Sequence, residues 1–502
     1  MDLESPGHPA AHIPPPCWTR TEDRHNPCYV CHREGVAPNF IDDSDLQEAY
    51  AFPMPALENP WRNLFIEHPV ANTWTDADID AWVRTNNYAA LADDLRAGLW
   101  DIDGDGSWAG VVPDAGFVFE DGVDIGPDGP TGWRAFVYAP FPGTFWPTNG
   151  ATDDVLIRLP VPFRTTDSGQ PDPTVYTVNL AIVEALLTRA DVSLPLPVDE
   201  AALGVDLDKD GQLGHAGIVR YDWAPIEGRT MSYVGAARAA QDMGAVHLAA
   251  GLYPEGTEFL HSVRYLDVVD GQVRMAARMK ELRYSRKIRW RGYLTLEQLA
   301  ISELKEKEEH PDRLRPLSGS VEAGWHNDVG WVYQGFIEDE TGRLRPQSRA
   351  ESALCMGCHS GYLGAPQDTT FSFARKIPGP AGWGHWHERG GLVGFPEPRD
   401  ARGRPEVALY LKRNGAGDEV RANTEMMAKL PLSAENASKM SSDISWMIMP
   451  SPARARALNR AYRALVAEQS FTYGRDPVLA PVSATVHQQV TPDQPTGLRA
   501  VQ

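Results

Sequence analysis

The amino-acid sequence predicts an α+β protein, a loop-rich mixed body with a β-rich middle region between helical segments at both ends. Three observations carry that expectation. The 41 Pro and 44 Gly among 502 residues divide the chain into short elements joined by turns. Between 111 and 188 the apolar runs are short and bounded by Pro or Gly, as strands are. Runs of helix-forming residues behind capping side chains lie on either side of that middle. With 42% hydrophobic and 23% charged residues the composition is globular, so disordered and fibrous readings fall away. The length suggests two to four domains, or one large body with insertions; the chain divides into 1–100 with an N-terminal arm and the first cysteine motif, 101–300 as the β-rich middle, 301–400 with the second motif, and a helical and extended region over 401–502.

Taken in order, residues 1–27 are rich in Pro and His and lack periodicity, which reads as an arm. Asp42 to Tyr50 has the residues of a capped helix, and 53–60 is extended. Over 72–100 two helical pieces are expected, the first capped by Thr75 and the second over Tyr88 to Arg96. Gly132 to Tyr138 and Val155 to Leu159 read as short strands. The loop from Tyr138 to Gly150 sets Pro140, Pro142, Gly143 and Pro147 among Phe141, Phe145 and Trp146; so rigid and aromatic a loop either lines a cleft or is a packed crossing. Val178 to Arg189 is an apolar helix. Glu258 to Leu266 and Val273 to Met279 pair around Asp270-Gly271, a hairpin signal. A charged helical region over 281–307 supplies Arg283, Arg286, Lys287, Arg289 and Arg291, either an anion-docking face or a solvated one. Ala453 to Ser470 spaces Ala457, Leu458, Tyr462 and Leu465 as one helix face, and the tail beyond Pro477 is extended. No short-period repeat is present, which argues against a solenoid.

Two stretches carry chemistry of their own. Cys28-Tyr29-Val30-Cys31-His32 and Cys355-Met356-Gly357-Cys358-His359 are both C-x-x-C-H, the pattern of covalent c-type haem attachment. Two thiols at this spacing reach the two vinyl groups of one porphyrin, and the adjacent imidazole lies under the iron. With 5 Cys in the chain, two chance copies are negligible. The competing readings are disulfides or one zinc. Zinc ribbons bring Cys pairs together at about 15–20 residues, whereas Cys28 and Cys355 stand 327 positions apart (355 − 28). Two haem c groups are therefore expected, one in each of the segments 1–100 and 301–400, with His32 and His359 as proximal ligands. Their separation also requires distant segments to converge if the haems are to meet. Cys17 is left over as a sheltered thiol, a lipid anchor, an intermolecular bridge or an iron ligand. The basic residues after 281 are candidates to neutralise haem propionates.

The second pattern is D-x-D-x-D-G, at Asp101, Asp103 and Asp105 and again at Asp206, Asp208 and Asp210. Carboxylates at loop positions 1, 3 and 5 with Gly at 6 wrap oxygen ligands around calcium, as in the first half of an EF-hand loop. Position 12, which should bring a bidentate Glu, is Val112 in one loop and Gly217 in the other. Calcium is expected as a structural clip, with an Asx-rich turn as the alternative.

The net charge of −21 argues against a nucleic-acid partner, and no run approaches the roughly 18 apolar residues of a membrane span. The start Met1-Asp2-Leu3-Glu4-Ser5 shows no apolar leader. Haem attachment of this kind occurs outside the cytoplasmic membrane, so a trimmed leader or a misassigned start is expected, with a periplasmic or extracellular location.

The paired pentapeptides resemble those of the exported bacterial dihaem c-type cytochromes. That resemblance covers a few per cent of the chain and implies haem c, export and redox work. It makes electron transfer in a respiratory or extracellular chain the leading expectation, with another cytochrome as partner. Dihaem peroxidases and rubber oxygenases are the enzymatic comparison it implies, with one open catalytic haem, although the motifs here lie further apart and no distal-site motif of theirs is matched. A third reading is a calcium-stabilised cytochrome assembly subunit, a homo-oligomer or filament. The sixth iron ligand decides between closed and open iron. Candidates are His385, His387 and His326 for the second iron, and His25, His68, His247 or His261 for the first.

Overall fold

The computed structural model describes residues 3–5, 7, 12–32, 48–50, 52–361, 367–400, 402–414, 423–430, 432–481 and 485–499. The helix expected over Asp42 to Tyr50 lies mostly outside the described residues. The architecture is the α+β one expected. Its centre is an antiparallel sheet built from β1 (Phe119–Glu120), β2 (Val123–Gly126), β3 (Gly129–Phe136) and β4 (Thr152–Arg158), with β5 (Val192–Asp199) and β6 (His215–Val219) forming a separate pair. The sheet continues with β7 (Glu258–Val269), β8 (Gln272–Lys287), β9 (Ser318–Ser320), β10 (Gly324–His326), β11 (Trp331–Glu338) and β12 (Leu344–Pro346). Strand order is β1-β2-β3-β4-β7-β8-β11-β10-β9, with β12 also pairing β11.

The long β7–β8 hairpin is the spine of this sheet. Its turn is Asp270-Gly271, with φ of 51° and 74°, the left-handed pair of a two-residue hairpin turn that matches strand twist. Pairing starts at Val269↔Gln272 and runs back to Glu258↔Arg286. β8 thus continues to Lys287, through the first part of the stretch read as a charged helical region; only Tyr293–Glu309 is helical. The reason is tertiary. Leu282 and Tyr284 bury in one apolar cluster with Leu156, Leu260 and Phe336 of neighbouring strands, and that packing outweighs local helix propensity.

Helices clamp the sheet. The helix Pro173–Thr188 begins with Asp172 accepting from the amides of Thr174 and Val175, and Pro173 fills its first turn. Its buried positions enter the largest apolar cluster with Ile157, Phe259 and Trp331. The helix Pro452–Glu468 is capped by Ser451, and its Asn459 exchanges hydrogen bonds with both backbone groups of Leu266 on β7. Asp76–Arg84 opens with the Thr75 capping box, and Leu91–Arg96 follows as the second piece. The first Cys motif begins in a single 3-10 turn, Cys28–Val30, whereas the second occupies the last turns of the helix Arg349–His359, whose Ser348 and Glu351 form a capping box.

One buried ion pair ties the helix Pro173–Thr188 to the segment beyond the second motif: Lys376 Nζ lies 2.8 Å from Glu184 Oε1. Burial raises the Glu184 carboxyl and lowers the Lys376 amine, each against the pull of its partner. Lys376→Met leaves Glu184 buried without its cation. It is expected to cost about 3–5 kcal/mol, read as a lower denaturant midpoint at unchanged slope.

Candidate cofactor-binding cavity

Strand alternation builds the floor of the site. Side chains two apart share a sheet face, and the register aligns Val155 of β4, His261 of β7 and Arg283 of β8 in one row. The neighbouring rows place Asp153, Val263 and Glu281 on one side, and Phe259, Ser285 and Tyr333 on the other. Above this floor lies an open cavity of about 310 Å3, within the range of about 300–1,000 Å3 usual for small-molecule pockets. The aromatic loop from Tyr138 to Gly150 lines it with Phe141 and Phe145, which settles that loop as the wall of a cleft.

Both Cys motifs border this one cavity. Cys28, Cys31 and His32 line it from one side, Cys355, Cys358 and His359 from another, and Cys17 joins them on the arm. The two pentapeptides, 327 positions apart in sequence (355 − 28), converge here. No disulfide links the five cysteines. Nor do the motif side chains gather as a metal clip: among the described residues, the groups that bring three ligand atoms within 4.8 Å of one another are two acidic ones. Burial, then the proximity of the other thiols, raises the Cys17 thiol far above its ordinary range, and burial raises Cys358 likewise. Both stay protonated.

His359 sits between Tyr333 and Phe371, with ring centroids 4.8 and 4.5 Å away. Burial, then the charges of Arg283 and His261, push it down to about 3, so its imidazole is neutral and keeps a lone pair. Its Nδ1 is buried without a hydrogen-bond partner among the described residues. The cavity wall carries excess positive charge: Glu281 Oε2 accepts from Arg283 Nε at 3.0 Å and from Arg475 Nη1 at 2.9 Å, one carboxylate serving two guanidiniums. Burial opposes the Glu281 charge, yet those two arginines hold its carboxyl down to about 2. Of the basic residues after 281, Arg283 faces the cavity; Arg286, Lys287, Arg289 and Arg291 do not line it.

The other candidate iron ligands lie elsewhere. His385 is buried with both ring nitrogens engaged: Nδ1 accepts from the His387 amide at 3.2 Å, and Nε2 donates to Asp154 Oδ2 at 2.9 Å. It stacks on Phe119 at 4.0 Å. His387 is pushed down to about 4 by burial and by His385. His25 pairs with Glu22 and Arg413, His68 lies 2.6 Å from Glu468, His326 is on β10, and His247 packs against Trp290. None of these lines the cavity; His261, proposed for the first iron, does, and its charge acts on His359.

Both acidic loops recruit a glutamate that their sequences lack. Asp101 and Asp103 group with Glu322, and Asp206 and Asp208 with Glu200, each within 4.8 Å. The two arrangements match amide for amide. Glu322 accepts from Ile102, Asp103 and Ala109; Glu200 accepts from Leu207, Asp208 and Gly214. These are loop positions 2, 3 and 9 in both cases. Asp105 and Asp210 stand outside the groups, accepting from the amides of Ser107 and Gln212. Glu200 and Glu322 are only 1% and 6% exposed. Sequence reasoning missed them because Glu322 comes 220 residues after Ile102 and Glu200 precedes its loop.

With this geometry in view, whole-chain comparison identifies the family. A family described as "-like lipoprotein" matches residues 3–390. A protein of Aquifex aeolicus (strain VF5) named "Uncharacterized lipoprotein" is 30% identical over 530 aligned positions, covering 93% of this chain and 86% of that one. No solved structure matches. The chain belongs to this lipoprotein family. Membership corrects the resemblance to dihaem c-type cytochromes, together with the electron-transfer, dihaem-oxidoreductase and cytochrome-assembly roles drawn from it. The physical reason is one of extent: two pentapeptides specify side-chain chemistry at two points, while family identity is written in packing positions over hundreds of residues. No helix among the described residues is long and apolar enough to cross a membrane.

Asp154 makes a pH prediction. Burial opposes its charge, but Arg264 and His385 hold its carboxyl well below the usual range. A depressed carboxyl stabilises the fold above the unfolded value of about 3.9 and loses that contribution as pH falls through the folded value. Urea midpoints of the wild type are therefore expected to fall steeply below about pH 4, and those of Asp154→Asn, lower at neutral pH, to fall less.

Proposed function

We propose that the protein is an exported, membrane-anchored lipoprotein whose cavity would hold two haem c groups, one bonded through Cys28 and Cys31 with His32 as an iron ligand, the other through Cys355 and Cys358 with His359 as an iron ligand. The observation that carries this reading is the convergence of both pentapeptides on one cavity. The four motif thiols line its wall, and His359 sits between two aromatic rings. A bound haem supplies a redox-active iron. The chain's own residues do the rest: the thiols anchor, the imidazoles orient, the Tyr138–Gly150 loop excludes water, and Arg283 and Arg475 offset negative charge. Cys17 faces the cavity, so the membrane anchor is not carried there. The location is the periplasm or the cell surface.

Peptide mass mapping of protein expressed in a host competent for covalent haem attachment tests this. Both motif peptides should carry a porphyrin, and Cys→Ala at either pair should remove one of the two. Bare thiols in both peptides would overturn the reading. Detergent-dependent release from the membrane fraction checks the location.

Calcium clips are the second part of the proposal. Two loops far apart in sequence each draw a buried glutamate to the same three amides, and Asp206 Oδ1 is buried without a hydrogen-bond partner. Calcium at about 100 times its dissociation constant stabilises the fold by about 2.7 kcal/mol per site. Chelation should accordingly lower the melting temperature of the wild type, and the double variant Glu200→Gln, Glu322→Gln should lose that response. A wild-type melting temperature indifferent to chelator would remove the clips.

A further inference from the structure

We infer that His261 is the second protein ligand of the iron that His359 would hold. The inference rests on the haem reading above and concerns a residue that reading leaves without a role.

The placement comes from the sheet. His261 lies mid-strand on β7 with Phe259 and Val263 on the same face, and it lines the cavity that His359 also lines. A metal-binding imidazole characteristically donates its other ring N–H to a carboxylate, which fixes tautomer and orientation. His261 has that partner: Nε2 lies 3.0 Å from Asp153 Oδ2, an oxygen that also accepts from the Tyr138 hydroxyl. Asp153 is itself buried. With Nε2 donating, Nδ1 keeps its lone pair and takes no hydrogen bond from any described residue. The ring is held edge-on by Phe145 at 5.0 Å and Tyr138 at 5.9 Å. The orientation therefore exists before any ligand enters.

Elimination supports the same residue. Iron in such a cavity takes an imidazole, thioether, phenolate, amine or thiolate. Among the described residues no methionine lines the cavity. The Tyr138 hydroxyl donates to Asp153 Oδ2, and the Tyr333 hydroxyl accepts from Asn327 Nδ2. Lys280 Nζ donates to Gly150 O at 2.6 Å. Beyond the two motif histidines, His261 is the imidazole lining the cavity among the described residues. His359 packs on Tyr333, ring centroids 4.8 Å apart, and Tyr333 lies in the row of Ser285 and Phe259, next to His261 on the same sheet face.

The test uses the full chain with the first motif changed, Cys28→Ala and Cys31→Ala, so that one haem is read alone. Electron paramagnetic resonance and visible spectra of this protein should show a low-spin iron with two nitrogen ligands that does not bind carbon monoxide. His261→Gly should turn it high-spin and open to carbon monoxide, and added imidazole should restore the low-spin spectrum. His261→Met, which keeps a side chain able to ligate, should stay low-spin with a His/Met signature and guards against a glycine variant that fails to fold. Asp153→Asn should keep the ligand but shift the spectrum. A high-spin parent, or a low-spin spectrum unchanged in His261→Gly or His261→Met, overturns the inference while haem remains bound at Cys355 and Cys358. Absence of haem from that peptide overturns the underlying reading with it.

Discussion

The interaction on which the rest depends is the backbone ladder between β7 and β8. It sets side-chain parity across the sheet: pairing begins at Val269↔Gln272, and register shifts between Val263 and Leu266 bring the ladder into the frame in which His261 stands opposite Arg283, and Val263 opposite Glu281. A slip of one residue would turn this polar floor into the apolar core beneath and bring Leu260 and Leu282 into the cavity. The apolar cluster of Leu156, Leu260, Leu282 and Phe336 prevents that slip by burying the opposite face. Hydrophobic burial on one side of the sheet thereby determines the chemistry on the other.

Charge then joins the floor to the walls. Glu281 on β8 binds Arg475 from the C-terminal segment, and Arg475 reaches on to the backbone carbonyl of Glu351 in the helix that carries the second motif. Arg345 of β12 closes the same network through paired bonds of 2.8 Å to Glu351. Bidentate contacts of this kind are geometrically specific, and breaking one partner of a buried pair costs more than the pair contributes. Their consequence here is positional: sheet, C-terminal segment and motif helix hold a common frame, so the thiols of Cys355 and Cys358 have a defined place relative to His261.

Family membership and cavity chemistry answer different questions. The lipoprotein family is defined by a pattern extending over most of the chain, whereas the cysteine pairs are local. A short motif tells what its side chains can bond to; it does not tell which scaffold presents them. The acidic loops make the same point on a smaller scale. Each carries three aspartates in the expected spacing, yet the residue completing each group arrives from elsewhere, and the third aspartate of each loop turns to its own backbone.

What the sequence determined by itself was local. Capping and periodicity marked the helices near Thr75, Val178 and Ala453, Asp270-Gly271 marked the hairpin, and C-x-x-C-H marked the thiols, because each signal lies within a few residues of the structure it specifies. Tertiary structure decided what spans long distances. It made a strand of residues 281–287 through cross-strand packing, committed both nitrogens of His385 to Asp154 and a helix cap, and brought Glu200 and Glu322 to the acidic loops. It also drew two pentapeptides to one cavity and aimed His261 into it by strand parity. Those outcomes depend on which surfaces bury against one another, a property of the whole chain that no single window of sequence contains.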